Sequence, residues 1–142
     1  PLSKNNLTAP GWTAFLAALG NPGAGGHIAQ KTEQYTYFQC VTLITAVDIM
    51  TGGAGTGFGD AKTLGSSPPS GYTFVSGLGS CERGDFFVDT TTGDYGHTGI
   101  FVESAGAVIK CIDANGAGPG VVRGSESCTW PADRVIGCLK KK

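Results

Sequence analysis

Two strand-like runs, separated by four turn-forming residues, constrain this chain more than any other stretch. His97-Thr98-Gly99-Ile100-Phe101-Val102 and Ala107-Val108-Ile109-Lys110-Cys111-Ile112-Asp113 flank Glu103-Ser104-Ala105-Gly106. Both are rich in β-branched and aromatic residues, so they form an antiparallel hairpin. With the turn centred on Ala105, His97 lies directly across from Asp113. Paired residues share a face, with Cβ atoms roughly 4.5–5.5 Å apart; a slip of one residue would separate them. Asn115 has the parity of Asp113 and reaches the same side if the strand continues. The hairpin is therefore expected to bring an imidazole together with an acceptor.

A helical pattern lies upstream. Val41, Ile44, Ala46, Val47 and Met50 recur at helix-like spacing, with polar Thr42, Thr45 and Asp48 between them. Thr51-Gly52-Gly53 supplies the stop. Cys40 then falls in the first turn, where backbone N–H groups point outward and the helix dipole favours negative charge. The thiolate, which such a position favours, is the nucleophilic form of cysteine. Nucleophile, imidazole and an orienting acceptor are the parts of a thiol hydrolase: Cys40, His97, and Asp113 or Asn115. A lone strand histidine is most often structural, but a helix-start cysteine and a facing carboxylate outweigh that reading. Tyr35, and after it Gln34, could join the Cys40 N–H in holding an oxyanion. Gln39, beside the nucleophile, is grouped with them as an oxyanion or substrate-binding residue.

The rest of the chain narrows the class. Its 142 residues suit one domain, 1–142. The 24 glycines are scattered and charged residues make up only 15%, which predicts short strands and much loop. A formal charge of −1 gives no electrostatic basis for binding nucleic acid. No apolar run approaches the roughly 20 residues of a membrane span. The start lacks the basic and apolar regions of a signal peptide, which suggests a mature or excised segment whose export route is not written in it. Lys140-Lys141-Lys142 reads as a solvated tail.

Trp12, Phe15, Leu16 and Leu19 form the stripe of a short amphipathic helix with Thr8 as N-cap. His27 reads as a solvated loop residue, and Trp130 as core or rim packing. Residues 52–79 read as a long loop forming one wall of a substrate cleft. Gly52 to Gly59 lacks the Lys-Ser/Thr of a phosphate loop. Asp89 and Asp94 sit in a polar turn without a regular series of oxygen ligands, so a hairpin loop is preferred to a calcium site. Cys81, Cys111, Cys128 and Cys138 can form up to two disulfides, and Cys128 and Cys138 are close enough in sequence to pair. The absence of CxxC spacing argues against zinc. No metal or cofactor is expected.

Four motifs in order carry a family resemblance: Tyr35 with Phe38-Gln39-Cys40-Val41; Gly84-Asp85-Phe86-Phe87-Val88; Tyr95-Gly96-His97-Thr98-Gly99-Ile100-Phe101-Val102; and Ile112-Asp113-Ala114-Asn115. Over about residues 30–116 the chain resembles the CHAP domain, the cysteine- and histidine-dependent amidohydrolase/peptidase family. The resemblance implies an α+β, papain-like fold of NlpC/P60 type, its cysteine-bearing helix packed on a twisted antiparallel sheet. It implies cleavage of amide bonds in bacterial peptidoglycan, as in phage endolysins, tail-associated lysins and autolysins. The bond would be N-acetylmuramoyl–L-alanine or a peptide in the stem or cross-bridge. It also implies action at the cell wall by a monomer or one part of a multidomain lysin. The family often carries Glu where this chain has Asp113, so the orienting role could pass to Asn115. Lys31, Tyr37 and Thr42 stand where some members have calcium-binding acids, and only Glu33 is acidic. Two other classes fit the same residues: a papain-like protease or deamidase effector acting on a protein, and a non-catalytic wall-binding module.

Overall fold

The computed structural model describes residues 40–114, 122–123 and 128–142. Helix α1 (Cys40–Met50) precedes strands β1 (Tyr72–Ser76), β2 (Phe86–Asp89), β3 (His97–Ala105), β4 (Val108–Ala114), β5 (Val122–Arg123), β6 (Thr129–Pro131) and β7 (Gly137–Lys141). The strands form one sheet in the order β1-β7-β2-β3-β4-β5, with β6 also on β4. Every pairing is antiparallel. Helix α1 packs on β3 and β4, so the described part of the chain is α+β. The expected helix for residues 12–19 lies outside the described residues.

The sheet is covered on both faces, which explains why Phe86-Phe87-Val88 is apolar without alternation. Phe86, Val88 and Leu139 pack with Val41 and Ile44 of α1, and with Phe58, Ala61 and Leu64 from the segment after the helix. Phe87, Phe101, Ile109, Cys111 and Cys138 pack on the other face with Cys128 and Val135. The helix stops where the glycines predict, at Gly52, which takes a positive φ of 95°. Its C-terminal half is tied down by Asp48, which accepts hydrogen bonds from the Tyr72 hydroxyl (2.7 Å) and the Gly55 N–H (2.9 Å).

Four local expectations are corrected. Tyr72–Ser76 is an edge strand, not part of a loop: it pairs along its whole length with β7. Within the same stretch, Phe58, Ala61 and Leu64 anchor the segment between α1 and β1 in the core. Lys140 and Lys141 belong to a strand rather than a tail, although Lys141 and Lys142 are solvent-exposed as expected. Lys140 and Lys141 end β7, where Lys140 Nζ donates to Asp85 (2.6 Å) and Lys141 Nζ lies 3.6 Å from Asp48. Cys138 is bonded to Cys81, not Cys128, because β2, β3 and β4 separate β7 from β6.

The hairpin turn is the fourth. β3 runs on through Ala105, and Ala105 pairs with Val108 across a two-residue turn of Gly106 and Ala107. Gly106 has φ 71°, the sense a tight hairpin turn asks of a glycine. A register shift between Phe101 and Glu103 follows, so Asp113 stands opposite Gly99 rather than His97.

Candidate active site

Residue His97 opens β3, and its neighbours explain its placement. Gly96 has φ 75°; a side chain there would run into the Asp89 carbonyl oxygen and approach the Lys62 backbone nitrogen to 2.9 Å. Only glycine lets the turn after β2 close this tightly. Gly99, one step along the same face, has equally little room. A Cβ on it would lie 2.6 Å from the Ile112 carbonyl oxygen and 2.9 Å from the Asp113 Cβ. That bare backbone lets Asp113 reach diagonally past Gly99. His97 Nε2 donates to Asp113 Oδ2 at 2.8 Å, with the histidine 5% exposed and the aspartate fully buried. The expected partners therefore meet, through a diagonal contact instead of a direct pair.

Two rings hold the imidazole in place. The Trp130 ring centre lies 4.0 Å from it and that of Phe87 5.8 Å. Trp130 Nε1 donates to Asp89 Oδ2 at 2.9 Å. Asp89 also accepts from the Thr91 N–H and hydroxyl (2.7 Å each) and from the Thr92 hydroxyl (2.6 Å). Burial alone would raise its carboxyl, but these hydrogen bonds hold it below its ordinary value. The polar turn is thus a self-capped hairpin loop whose carboxylate fixes Trp130. Trp130 and Asp89 were not legible as site residues, since the bond between them spans 41 positions of sequence.

Residue Cys40 is the first residue of α1, half-buried and outside any disulfide. It lies close enough to the His97 imidazole to act on that ring's titration. Burial pulls the His97 pKa down. The hydrogen bond to Asp113 and then the nearby Cys40 sulfur, with the charges on both, outweigh this and push it up to about 9. The imidazole is therefore protonated at neutral pH, beside a sulfur at a helix N-terminus.

Residues Asn115, Tyr35, Gln34 and Gln39 lie outside the described residues, as do Lys31, Glu33, Tyr37 and His27. Among the described residues, Cys111, Asp113 and Cys128 gather three potential ligand atoms within 4.8 Å. They do not fit a zinc ion as they stand. The two sulfurs are 2.7 Å apart, whereas Zn–S bonds of about 2.3 Å at tetrahedral angles would hold them roughly 3.8 Å apart. Among the described residues no helix is long and apolar enough to cross a membrane.

Neither a family model nor any curated protein matches the sequence. Solved structures do match in fold. The wild-type endolysin LysIME-EF1 is similar over 91% of this chain and 63% of its own, with 24% identity and a TM-score of 0.55. Ly7917 is similar over 91% of this chain and 62% of its own, with 18% identity and a TM-score of 0.52. A structure of Ly7917 with the hydrolyzing product of MDP gives 17% identity and a TM-score of 0.50. The chain thus spans less than two thirds of the length of these proteins.

Proposed function

We propose that this chain is a papain-like cysteine amidohydrolase of the CHAP type that cleaves amide bonds in bacterial peptidoglycan. The observation that carries the reading is one imidazole beside a helix-start cysteine and hydrogen-bonded to a buried carboxylate. Cys40 attacks the amide carbon with His97 already holding its proton. Asp113 holds the ring and its positive charge, with Asn115 as a second acceptor. The Cys40 N–H and Tyr35 or Gln34 receive the oxyanion, with Gln39 beside them. His97 then protonates the leaving amine. Water, activated by the same imidazole, hydrolyses the thioester and frees Cys40.

The substrate class rests on the fold neighbours, one an endolysin and another crystallised with a product of MDP hydrolysis. The scissile bond is N-acetylmuramoyl–L-alanine or a stem or cross-bridge peptide, and the site of action is the cell wall. Digestion of purified walls from several bacteria beside unfolded casein tests this choice. Soluble wall fragments whose masses place the cut at one amide, with casein intact, support it. Casein cleavage with intact walls would favour a protein-directed effector. Binding to walls without fragment release would favour a non-catalytic module.

A further inference from the structure

We infer that Cys111 and Cys128 form a second disulfide, a bond that ties the strand carrying Asp113 to the segment carrying Trp130. Their sulfurs lie 2.7 Å apart. That is well inside the roughly 3.5–4.0 Å optimum of non-bonded heavy atoms and close to the ~2.05 Å of a disulfide. The backbone agrees. β4 and β6 pair Val108 with Pro131, Ile109 with Trp130 and Lys110 with Thr129. The next step in that register sets Cys111 opposite Cys128, and the Cys111 N–H donates to the Cys128 carbonyl at 3.1 Å. Directly opposed antiparallel residues have Cα atoms about 4.5–5.5 Å apart, within the roughly 4.4–6.8 Å that a disulfide spans. Both residues are fully buried and side by side in the folded chain, so the bond has to form as the strands close over them.

The reaction removes two protons and two electrons from the thiols. A small-molecule disulfide such as oxidised glutathione accepts them: one cysteine thiolate forms a mixed disulfide, and the other displaces glutathione thiol from it. The chain already holds Cys81–Cys138, so surroundings that form that bond supply such an oxidant. Cys111 lies two residues before Asp113 on β4, and Cys128 two residues before Trp130. The new bond therefore fastens the strand carrying the carboxylate on Nε2 to the strand carrying the ring stacked on the imidazole. Of five cysteines, only Cys40 keeps a thiol. The effect on His97 matters for catalysis only if the proposed function holds; the bond itself does not depend on it.

The test is a non-reducing tryptic map of the full chain refolded in a buffer of reduced and oxidised glutathione, with remaining thiols alkylated in denaturant containing a chelator. Trypsin cuts after Lys110, Arg123 and Arg134, so Cys111 leaves in peptide 111–123 and Cys128 in peptide 124–134. The expected product is these two peptides joined, with the mass of both less two hydrogens. Cys40 should appear alkylated or as a mixed glutathione disulfide. Recovery of both peptides separately, each alkylated or glutathionylated, overturns the inference. Stoichiometric zinc in the undigested protein together with two alkylated peptides would do so in favour of a metal site.

Discussion

Replacing Asp113 with Asn should uncouple the imidazole from its positive charge. The wild-type His97 is raised from 6.5 to about 9. A raised histidine stabilises the folded state fully below pH 6.5, and the contribution is lost as pH climbs through about 9. At about 1.36 kcal/mol per pKa unit, the shift corresponds to about 3 kcal/mol. Asparagine keeps the shape and one acceptor but removes the charge from a fully buried position 2.8 Å from Nε2. Burial, which works against the charged ring, then gains the upper hand. His97 should titrate roughly 2 units lower. The variant should lose about 3 kcal/mol below pH 6.5, with the deficit shrinking as pH rises from about 7 and gone once pH has passed about 9. Histidine NMR titration reads the first quantity, with His27→Gln assigning the second of the two histidines. Urea unfolding across pH reads the second. A His97 still titrating near 9 in Asp113→Asn, or a deficit that does not change with pH, would refute the reasoning.

Gly99→Ala places a Cβ 2.6 Å from the Ile112 carbonyl oxygen and 2.9 Å from the Asp113 Cβ. It should cost about 1–3 kcal/mol in denaturant unfolding and abolish turnover by displacing Asp113. The Cys81–Cys138 bond closes a 57-residue separation. Replacing both with Ala should lower stability by about 4 kcal/mol on chain-entropy grounds, seen as an earlier urea midpoint. Tyr72→Phe leaves the Asp48 carboxylate short of its 2.7 Å donor. Thermal unfolding should show a loss of about 1–3 kcal/mol, while the His97 titration stays in place.

The hairpin was legible because its two strands and their turn each carry a local signal. Its register was not. The sequence places the turn on Ala105, whereas the two-residue turn at Gly106 and the shift near Val102 move the pairing by two positions. A displacement of two preserves the face, which is why His97 and Asp113 still meet. Helix α1 and its stop at Gly52 were legible for the same local reason. Strand order was not, and everything that depends on it stayed hidden. The partner of Cys138, the stacking of Trp130 on His97 and the Asp89–Trp130 bond all join segments far apart in sequence. The terminal lysines misled in another way. Three adjacent charges suggest a tail, but on β7 two of them meet Asp85 and Asp48.

The central claim is amide cleavage by the Cys40 thiol. Its most direct measurement is the release of amino groups and of reducing sugar ends from purified peptidoglycan, for the native chain beside Cys40→Ala. New amino groups should appear without new reducing ends, and neither should appear with Cys40→Ala. Reducing ends from the native chain, or amino groups undiminished in a folded Cys40→Ala, would contradict it.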